Sequence, residues 1–315
     1  MTDSQQSNDR ADSGMELFVF SYNRGRYLRN CIESIRRHAA HLPVTVIDDG
    51  SSDPEVAGVL QEYADHLRVV RSTDAIRGHY LGGLYPNMNH AIDVASSDIA
   101  LFIQEDMQLV RDFTKGDVEH ARCFFERYPN SLELHNCFFK RTHGPRDRCG
   151  MEIDWDVPVY FRSADAKGSK YFSAVGLFNV YRIRETGFRF SNFESGNDAR
   201  IAEFADRMGI APYPSMMWLP FAQTSKFRGK GILQRYAEWK TGAGFFPYSA
   251  MTDGEVARLF SRDIQYVPIA EEWLSPIDMR YREIWNFVDA AKFVPVTRKV
   301  MKMRKRFRRR IMGRQ

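Results

Sequence analysis

The feature that most constrains this chain is a short apolar run that ends in acid. Ile99, Ala100, Leu101, Phe102 and Ile103 lead straight into Gln104, Glu105 and Asp106, with Met107 behind them. An apolar run this short, bounded by charge, reads as a strand buried on both faces, which is the habit of parallel sheets covered by helices. Its carboxylates then stand at the carboxyl edge, where open α/β sheets take their ligands. Adjacent carboxylates repel unless a cation neutralises them, and hard oxygen donors beside phosphates suit Mg²⁺ or Mn²⁺. A strand end whose acids merely cap the next turn has the same local sequence, so the rest of the chain decides.

Two similar units precede it. Leu17 to Phe20 form a first apolar run closed by Ser21, Tyr22, Asn23 and Arg24, and a helix begins near Gly25 with Tyr27, Leu28, Cys31, Ile32 and Ile35 at helical spacing. Val44 to Ile47 form a second, closed by Asp48, Asp49, Gly50, Ser51 and Ser52, and Asp53 before Pro54 is a helix start. Strand and helix in alternation indicate parallel crossovers. A carboxylate at the end of the second strand can accept a hydrogen bond from a base N–H; it can equally be a turn acid beside Gly50.

The three blocks in order, Phe18-Val19-Phe20-Ser21-Tyr22-Asn23-Arg24, Val44-Thr45-Val46-Ile47-Asp48-Asp49-Gly50-Ser51-Ser52-Asp53, and Asn89 on an apolar helix before the acids at Asp106, resemble the family 2 glycosyltransferases of the GT-A fold. The similarity runs from about Met15 to Ser225. A Rossmann GxGxxG after the first strand and a P-loop GxxxxGK[ST] are both missing, which weighs against those nucleotide-binding classes. The resemblance implies a GT-A-like (Rossmann-like), mostly parallel sheet flanked by helices, with a nucleotide-sugar donor over its edge. It implies that Asp49 reads the base, that Ser21, Tyr22 and Asn23 flank the nucleoside, and that Asp106, beside Glu105, holds a divalent cation, Mg²⁺ or Mn²⁺, on the diphosphate. Gln104 stands where the family's first acid usually lies, and Gln223 where many relatives carry a histidine.

Further along, Leu67 to Val70 read as a third strand, and the glycines at 78, 82 and 83 would let backbone approach a ligand, with Arg77 reaching a phosphate or lying solvated. Val118 to Tyr128 has helical spacing, and Leu132 and Leu134 begin another strand. Residues 142–169, rich in Gly, Pro, Asp and Arg, are expected to be a long loop facing the acceptor, with Trp155 stacking on a sugar ring or buried in the core. Tyr171 to Tyr181 read as an apolar strand. A helix then follows Glu194, Asn197 and Asp198, with Ile201, Phe204, Ala205 and Met208 at core spacing. The resemblance makes Asp198 the general base of an inverting, single-displacement transfer, or else the cap of its helix, with Glu194 holding the acceptor. The run Lys226 to Gly231 is expected to close over the diphosphate, with Arg228 and Lys230 supplying charge, or to be a plain surface loop.

Composition matters at the carboxyl end. The formal charge of +5 comes from the last nineteen residues, which hold ten Lys and Arg and no acid; taking these from 45 leaves 35 basic against 40 acidic residues elsewhere. Val300, Met303, Phe307 and Ile311 make an apolar stripe on that cationic stretch, which suits an anionic membrane face. A solvated tail is the plain alternative, and nucleic-acid binding ranks lower because no aromatic platform accompanies the charge. Four cysteines without a CxxC pair fit a reducing compartment. The polar first fourteen residues have no signal-peptide core, and Met208 to Ser225 is interrupted by Pro212, Pro214 and Pro220, which argues against a spanning helix.

The organisation expected is a loose tail over 1–14, a catalytic GT-A domain over 15–225, a helical carboxyl-terminal extension over 226–296 with Trp239, Leu259, Phe260, Trp273, Trp285 and Phe287 packed inside, and a basic amphipathic tail over 297–315. The expected activity is transfer of a sugar from a nucleoside diphosphate sugar, a UDP-sugar by preference, to a glycan or lipid-linked acceptor in polysaccharide biosynthesis, at the cytoplasmic face of the membrane. A non-catalytic, membrane-associated glycan-binding relative and a sugar-phosphate nucleotidyltransferase are the alternatives.

Overall fold

The computed structural model describes residues 14–71, 83–141, 150–166, 168–191, 194–222, 231–278, 294–300 and 303. Its first half alternates as the apolar runs predict: β1 (Met15–Ser21), α1 (Gly25–His38), β2 (Val44–Asp48), α2 (Pro54–Glu62), β3 (Arg68–Arg71), α3 (Leu84–Val94) and β4 (Ile99–Gln104). Every residue of β1 is buried because both faces of the sheet are covered. Leu17 and Val19 join Leu28, Cys31 and Ile32 of α1 on one side, while Phe18 and Phe20 meet Met88 and Ile92 of α3 on the other. Pro54 opens α2, and the Asp53 carboxylate accepts the Glu55 N–H at 3.1 Å, one of the orphan donors of that helix start.

The strand register is what assembles the edge. Parallel pairing sets Ser21 opposite Asp48 and Phe20 opposite Gln104, so β1, β2 and β4 all end at one level. The polar residues that follow each apolar run therefore share one rim.

The second half comprises β5 (Met107–Leu109), α4 (Lys115–Arg127), β6 (Glu133–His135), β7 (Met151–Asp154), β8 (Val159–Arg162), β9 (Gly176–Asn179), α5 (Val180–Thr186), α6 (Glu194–Ile201), β10 (Gly209–Ile210) and β11 (Met216–Trp218). Among the described residues the main sheet has nine strands in the order β3-β2-β1-β4-β9-β6-β10-β8-β7, with β11 pairing separately with β5. The four strands β3, β2, β1 and β4 are parallel throughout, and β9 enters antiparallel to both β4 and β6. At Gly176, where β9 starts, φ is +142° and a Cβ would lie 2.9 Å from the Leu134 carbonyl oxygen, so only glycine fits.

Three local expectations differ. The stretch 142–169 contains the hairpin β7–β8 along its described part, because Met151 to Asp154 and Val159 to Arg162 pair as an edge ribbon. The strand expected over Tyr171–Tyr181 is only four residues long: Asn179 accepts the Arg182 N–H at 2.9 Å and starts α5, while residues 170–173 are held on side-chain carboxylates instead of a ladder. The helix after Glu194 ends at Ile201, which leaves Phe204 39% exposed.

The carboxyl-terminal helices are α7 (Ile232–Thr241), α8 (Asp253–Ser261) and α9 (Ala270–Trp273). Ala237 of α7 clusters with Val294, whereas α8, α9 and the segment before them join the main core. Phe246, Tyr248, Met251, Leu259, Ala270 and Leu274 belong to the same core cluster as β1 and α1. Gln108 ties this segment in twice, donating to the Tyr248 carbonyl oxygen at 2.8 Å and accepting the Tyr248 N–H at 3.0 Å. Two expected packing residues lie outward, Trp239 at 76% and Phe260 at 44% exposure, whereas Leu259 is fully buried. Trp285 and Phe287 lie outside the described residues.

Candidate active site

The rim is knitted by two side chains. Asn23 has φ +52°, a left-handed conformation that asparagine tolerates, and is buried. Its Oδ1 accepts the N–H groups of Ser52 at 2.7 Å and Asp53 at 2.9 Å, and its own N–H donates to Ser51 Oγ. Asn23 thus clamps the β1 end to the loop before α2. Asp48 is buried and turns inward, accepting from the Ser51 N–H and hydroxyl at 2.9 and 2.5 Å. Asp49 is half-buried beside it, its N–H donating to the Ser21 carbonyl oxygen at 2.9 Å. Of the two acids, Asp48 builds the turn and Asp49 stands at the opening. The Ser21 hydroxyl is buried there with no hydrogen-bond partner.

Arg24 is the hub of the acid cluster. Its Nη1 lies 2.5 Å from Asp106 Oδ2 and its Nε 3.7 Å from Glu105 Oε1. Burial opposes the guanidinium charge, but Asp106 and Glu105 more than offset it and raise the pKa. Beneath the pair, burial first and these two acids second push the Cys31 thiol well up, so it stays protonated. Asp106 Oδ1 is buried and unpartnered.

Next to the acids a cavity of about 260 Å³ opens, its walls including His135, Lys140, Phe172, Glu194 and Trp218. β11 brings Trp218 opposite Met107, and the Leu219 N–H donates to the Asp106 carbonyl oxygen at 2.8 Å, so this wall is fixed to the acid turn. Lys140 Nζ lies 4.2 Å from the Trp218 ring centroid. Desolvation lowers the Lys140 pKa, while Cys137, Asp106 and Glu194 act to raise it. Glu194, at the head of α6, has its carboxyl raised by desolvation, with Lys140 opposing and Asp198 adding to the shift.

Two neighbouring α6 residues, the expected base Asp198 and Asn197 before it, both serve the backbone. Asp198 Oδ1 accepts three backbone N–H groups, from Lys170 at 3.0 Å, Tyr171 at 2.9 Å and Phe172 at 3.1 Å. It pins the segment that supplies the cavity's Phe172 wall. Asn197 is buried and bonds Ser191 through both ends of its amide, at 2.7, 2.9 and 2.9 Å. Behind the cavity Glu133 is fully buried, with Oε2 accepting the Ser173 N–H at 2.7 Å and Oε1, which makes no hydrogen bond, 3.7 Å from His135 Nδ1. Desolvation raises its carboxyl well above the ordinary range.

Residues 17–148, the stretch that builds this rim, match the family model described as Glycosyl transferase family 2. That match covers less than half of the 315 residues. Similar solved structures include TarS 1–349 of S. aureus, at TM-score 0.45 and 16% identity, covering 64% of this chain and 59% of that one. The same protein in complex with UDP gives TM-score 0.44 and 14% identity, with the same coverage. The mannosyltransferase PcManGT from Pyrobaculum calidifontis, in complex with GDP-Man and Mn²⁺, gives TM-score 0.44 and 13% identity over 73% of this chain and 61% of that one. The chain spans about three fifths of the length of these structures. No curated protein matches it.

Within the matched stretch the register brings Ser21, Tyr22, Asn23, Asp49, Glu105 and Asp106 to one rim, and Glu194, beyond it in sequence, lines the nearby cavity. Trp155 lies elsewhere. It sits 58% exposed on the β7–β8 turn, in a separate groove of about 1170 Å³ with Arg127, Asp154 and Arg207. Arg77, Arg228, Lys230 and Gln223 lie outside the described residues. Arg24, Lys140 and Trp218 were missed as site residues. Arg24 closes the same strand-end block as Ser21 and Tyr22, a signal that reading by block position could have used; Lys140 and Trp218 reach the cavity by tertiary pairing alone.

No set of three His, Cys, Asp or Glu side chains among the described residues is arranged to hold a metal. The donor set does fit a divalent cation that takes the rest of its shell from phosphate and water, since Asp106 Oδ1 is an oxygen donor without a partner. Glu105 faces Arg24 instead.

Proposed function

We propose that the chain transfers a sugar from a nucleoside diphosphate sugar, a UDP-sugar by preference, to a hydroxyl of a glycan or lipid-linked acceptor. The observation that carries this reading is the convergence of the β1, β2 and β4 ends on one rim, with the Trp218 wall of the Lys140–Glu194 cavity tied to the acid turn through Leu219 N–H and the Asp106 carbonyl oxygen. Asp49 at the opening accepts from the base, and Ser21 and Tyr22 lie beside the nucleoside. The diphosphate lies against the Arg24–Asp106 ion pair, on the side of Asp106 Oδ1, where a divalent cation held by that oxygen would neutralise the leaving group.

The acceptor occupies the cavity, whose volume is on the scale of a single sugar unit. Its hydroxyl oxygen bonds to the anomeric carbon as the bond from that carbon to the phosphate oxygen breaks, and the electron pair leaves with the diphosphate. One displacement inverts the configuration. The hydroxyl proton passes to a carboxylate, and the geometry supports Glu194 over Asp198: Glu194 lines the cavity, whereas Asp198 Oδ1 is occupied by three backbone donors. A raised Glu194 pKa brings its basicity closer to the task. Lys140, between Asp106 and Glu194, stabilises charge on both sides.

The test is release of nucleoside diphosphate from a panel of UDP- and GDP-sugars with Mn²⁺, beside calorimetric binding of UDP and GDP. Turnover of one donor class is expected. Absence of both turnover and nucleotide binding contradicts the reading.

A further inference from the structure

The outward face of α7 carries a pattern that neither the core nor the cavity uses. At about 100° per residue, Ile232, Tyr236 and Trp239 fall within about 60° of one another around the helix. They are 87%, 41% and 76% exposed. Arg235 flanks this stripe on one side and Lys240 on the other, both exposed. The opposite face is the one that packs: Ala237 is fully buried, and Glu238, also buried, accepts from Gln234 at 3.0 Å. An exposed helix stripe of tryptophan, tyrosine and isoleucine bordered by cations has the composition of a helix lying in a lipid headgroup layer.

We propose that this face of α7 docks the protein on an anionic lipid surface, with Ile232, Tyr236 and Trp239 entering the interface and Arg235 and Lys240 meeting the headgroups. Three observations favour that occupant. Ala237 clusters with Val294, so the chain leaves the α7 region into a segment that carries ten Lys and Arg and no acid from 297 to 315. Two copies meeting through this face would bring those cations together. The three side chains also offer only on the order of 400 Å², short of the roughly 800 Å² per partner of a stable protein interface.

The location has a consequence for the acceptor. Just past α7, the Gly244 carbonyl oxygen accepts the Tyr27 hydroxyl at 2.5 Å, and the Tyr27 ring lies 5.6 Å from the Arg24 guanidinium. The lipid face and the donor rim are joined by that short chain of contacts. An acceptor anchored in the same lipid layer would be presented next to the cavity. Among the described residues no helix is long and apolar enough to cross a membrane.

The test is sedimentation of the full chain with phosphatidylcholine vesicles containing phosphatidylserine at roughly one lipid in three, an anionic surface able to attract basic segments, against pure phosphatidylcholine. The wild type is expected to sediment with the anionic vesicles, and the double variant I232S/W239S to bind at least tenfold more weakly with an unchanged melting temperature, since neither side chain supports the core. R235E/K240E is expected to lose binding in parallel. Equal sedimentation of wild type and I232S/W239S overturns the proposal, as does failure of the wild type to bind. So does a concentration-dependent dimer abolished by I232S/W239S, which would assign the face to a second copy.

Discussion

Removing the Asp198 carboxylate separates its structural duty from the chemistry next to it. Asp198→Ala strips the acceptor from three backbone N–H groups that lie part-buried at 2.9 to 3.1 Å. Each donor left unsatisfied costs about 1–3 kcal/mol when buried. Because residues 170 and 171 reach water at their edge, one or two of the three can be rehydrated, and a total of about 2–4 kcal/mol follows. Asp198→Asn keeps an Oδ1 acceptor and loses only the charge assistance, about 1 kcal/mol. Urea unfolding followed by tryptophan fluorescence reads both values. In nucleotide release Asp198→Asn is expected to fall less than tenfold, through a loosened Phe172 wall. A variant Asp198→Ala within 0.5 kcal/mol of wild type, a span typical of uninvolved surface changes, would refute the anchoring role. An Asp198→Asn enzyme with intact stability and a rate down by about 10³, within the range lost with a general base, would return the proton transfer to Asp198.

Other consequences are separable. Arg24→Ala leaves Glu105 and Asp106 facing each other without a cation and is expected to destabilise the fold by about 1–3 kcal/mol; the 3–5 of a fully buried pair is reduced because the Arg24 and Asp106 side chains are 20% and 18% exposed. Thermal melts of R24A and R24K check it, and equal melting of R24A and wild type contradicts the ion-pair account. Glu133 binds its proton more tightly in the folded chain than unfolded, so stability is expected to decline as pH rises from its ordinary value of 4.5 toward the raised one; Glu133→Gln should flatten that slope in pH-dependent unfolding. Because Glu194 must be ionised to accept a proton, the acidic limb of kcat/KM should lie above the ordinary carboxylate range and shift down when Lys140 is left in place and Asp198 is made Asn. Asp106→Asn should weaken Mn²⁺ binding measured calorimetrically in the presence of UDP, while equal Mn²⁺ affinity would remove Asp106 as its holder.

The rim at the ends of β1, β2 and β4 was legible in the sequence because its signals are local. Runs such as Leu17–Phe20 and Ile99–Ile103 fix strand type, and parallel register carries the residues after them to one rim, so Asp49 and Asp106 could be placed together from block order alone. The Lys140–Glu194 cavity was less legible because it is made by pairing across distance. Trp218 reaches the cavity only because β11 pairs with β5, and Lys140 only because Cys137 bridges Met216 and Phe139 bridges Ile269. For the same reason, periodicity placed Trp239 in a core it does not enter. Helical spacing says which residues share a face, not what covers that face.

The account stands or falls on the donor rim and the Glu194 cavity being one site. With a donor that the wild type turns over, Glu194→Gln should lower kcat for nucleotide release by about 10² to 10⁴ while leaving the calorimetric UDP affinity and the melting temperature unchanged. A Glu194→Gln enzyme that keeps the wild-type rate would separate the cavity from the reaction.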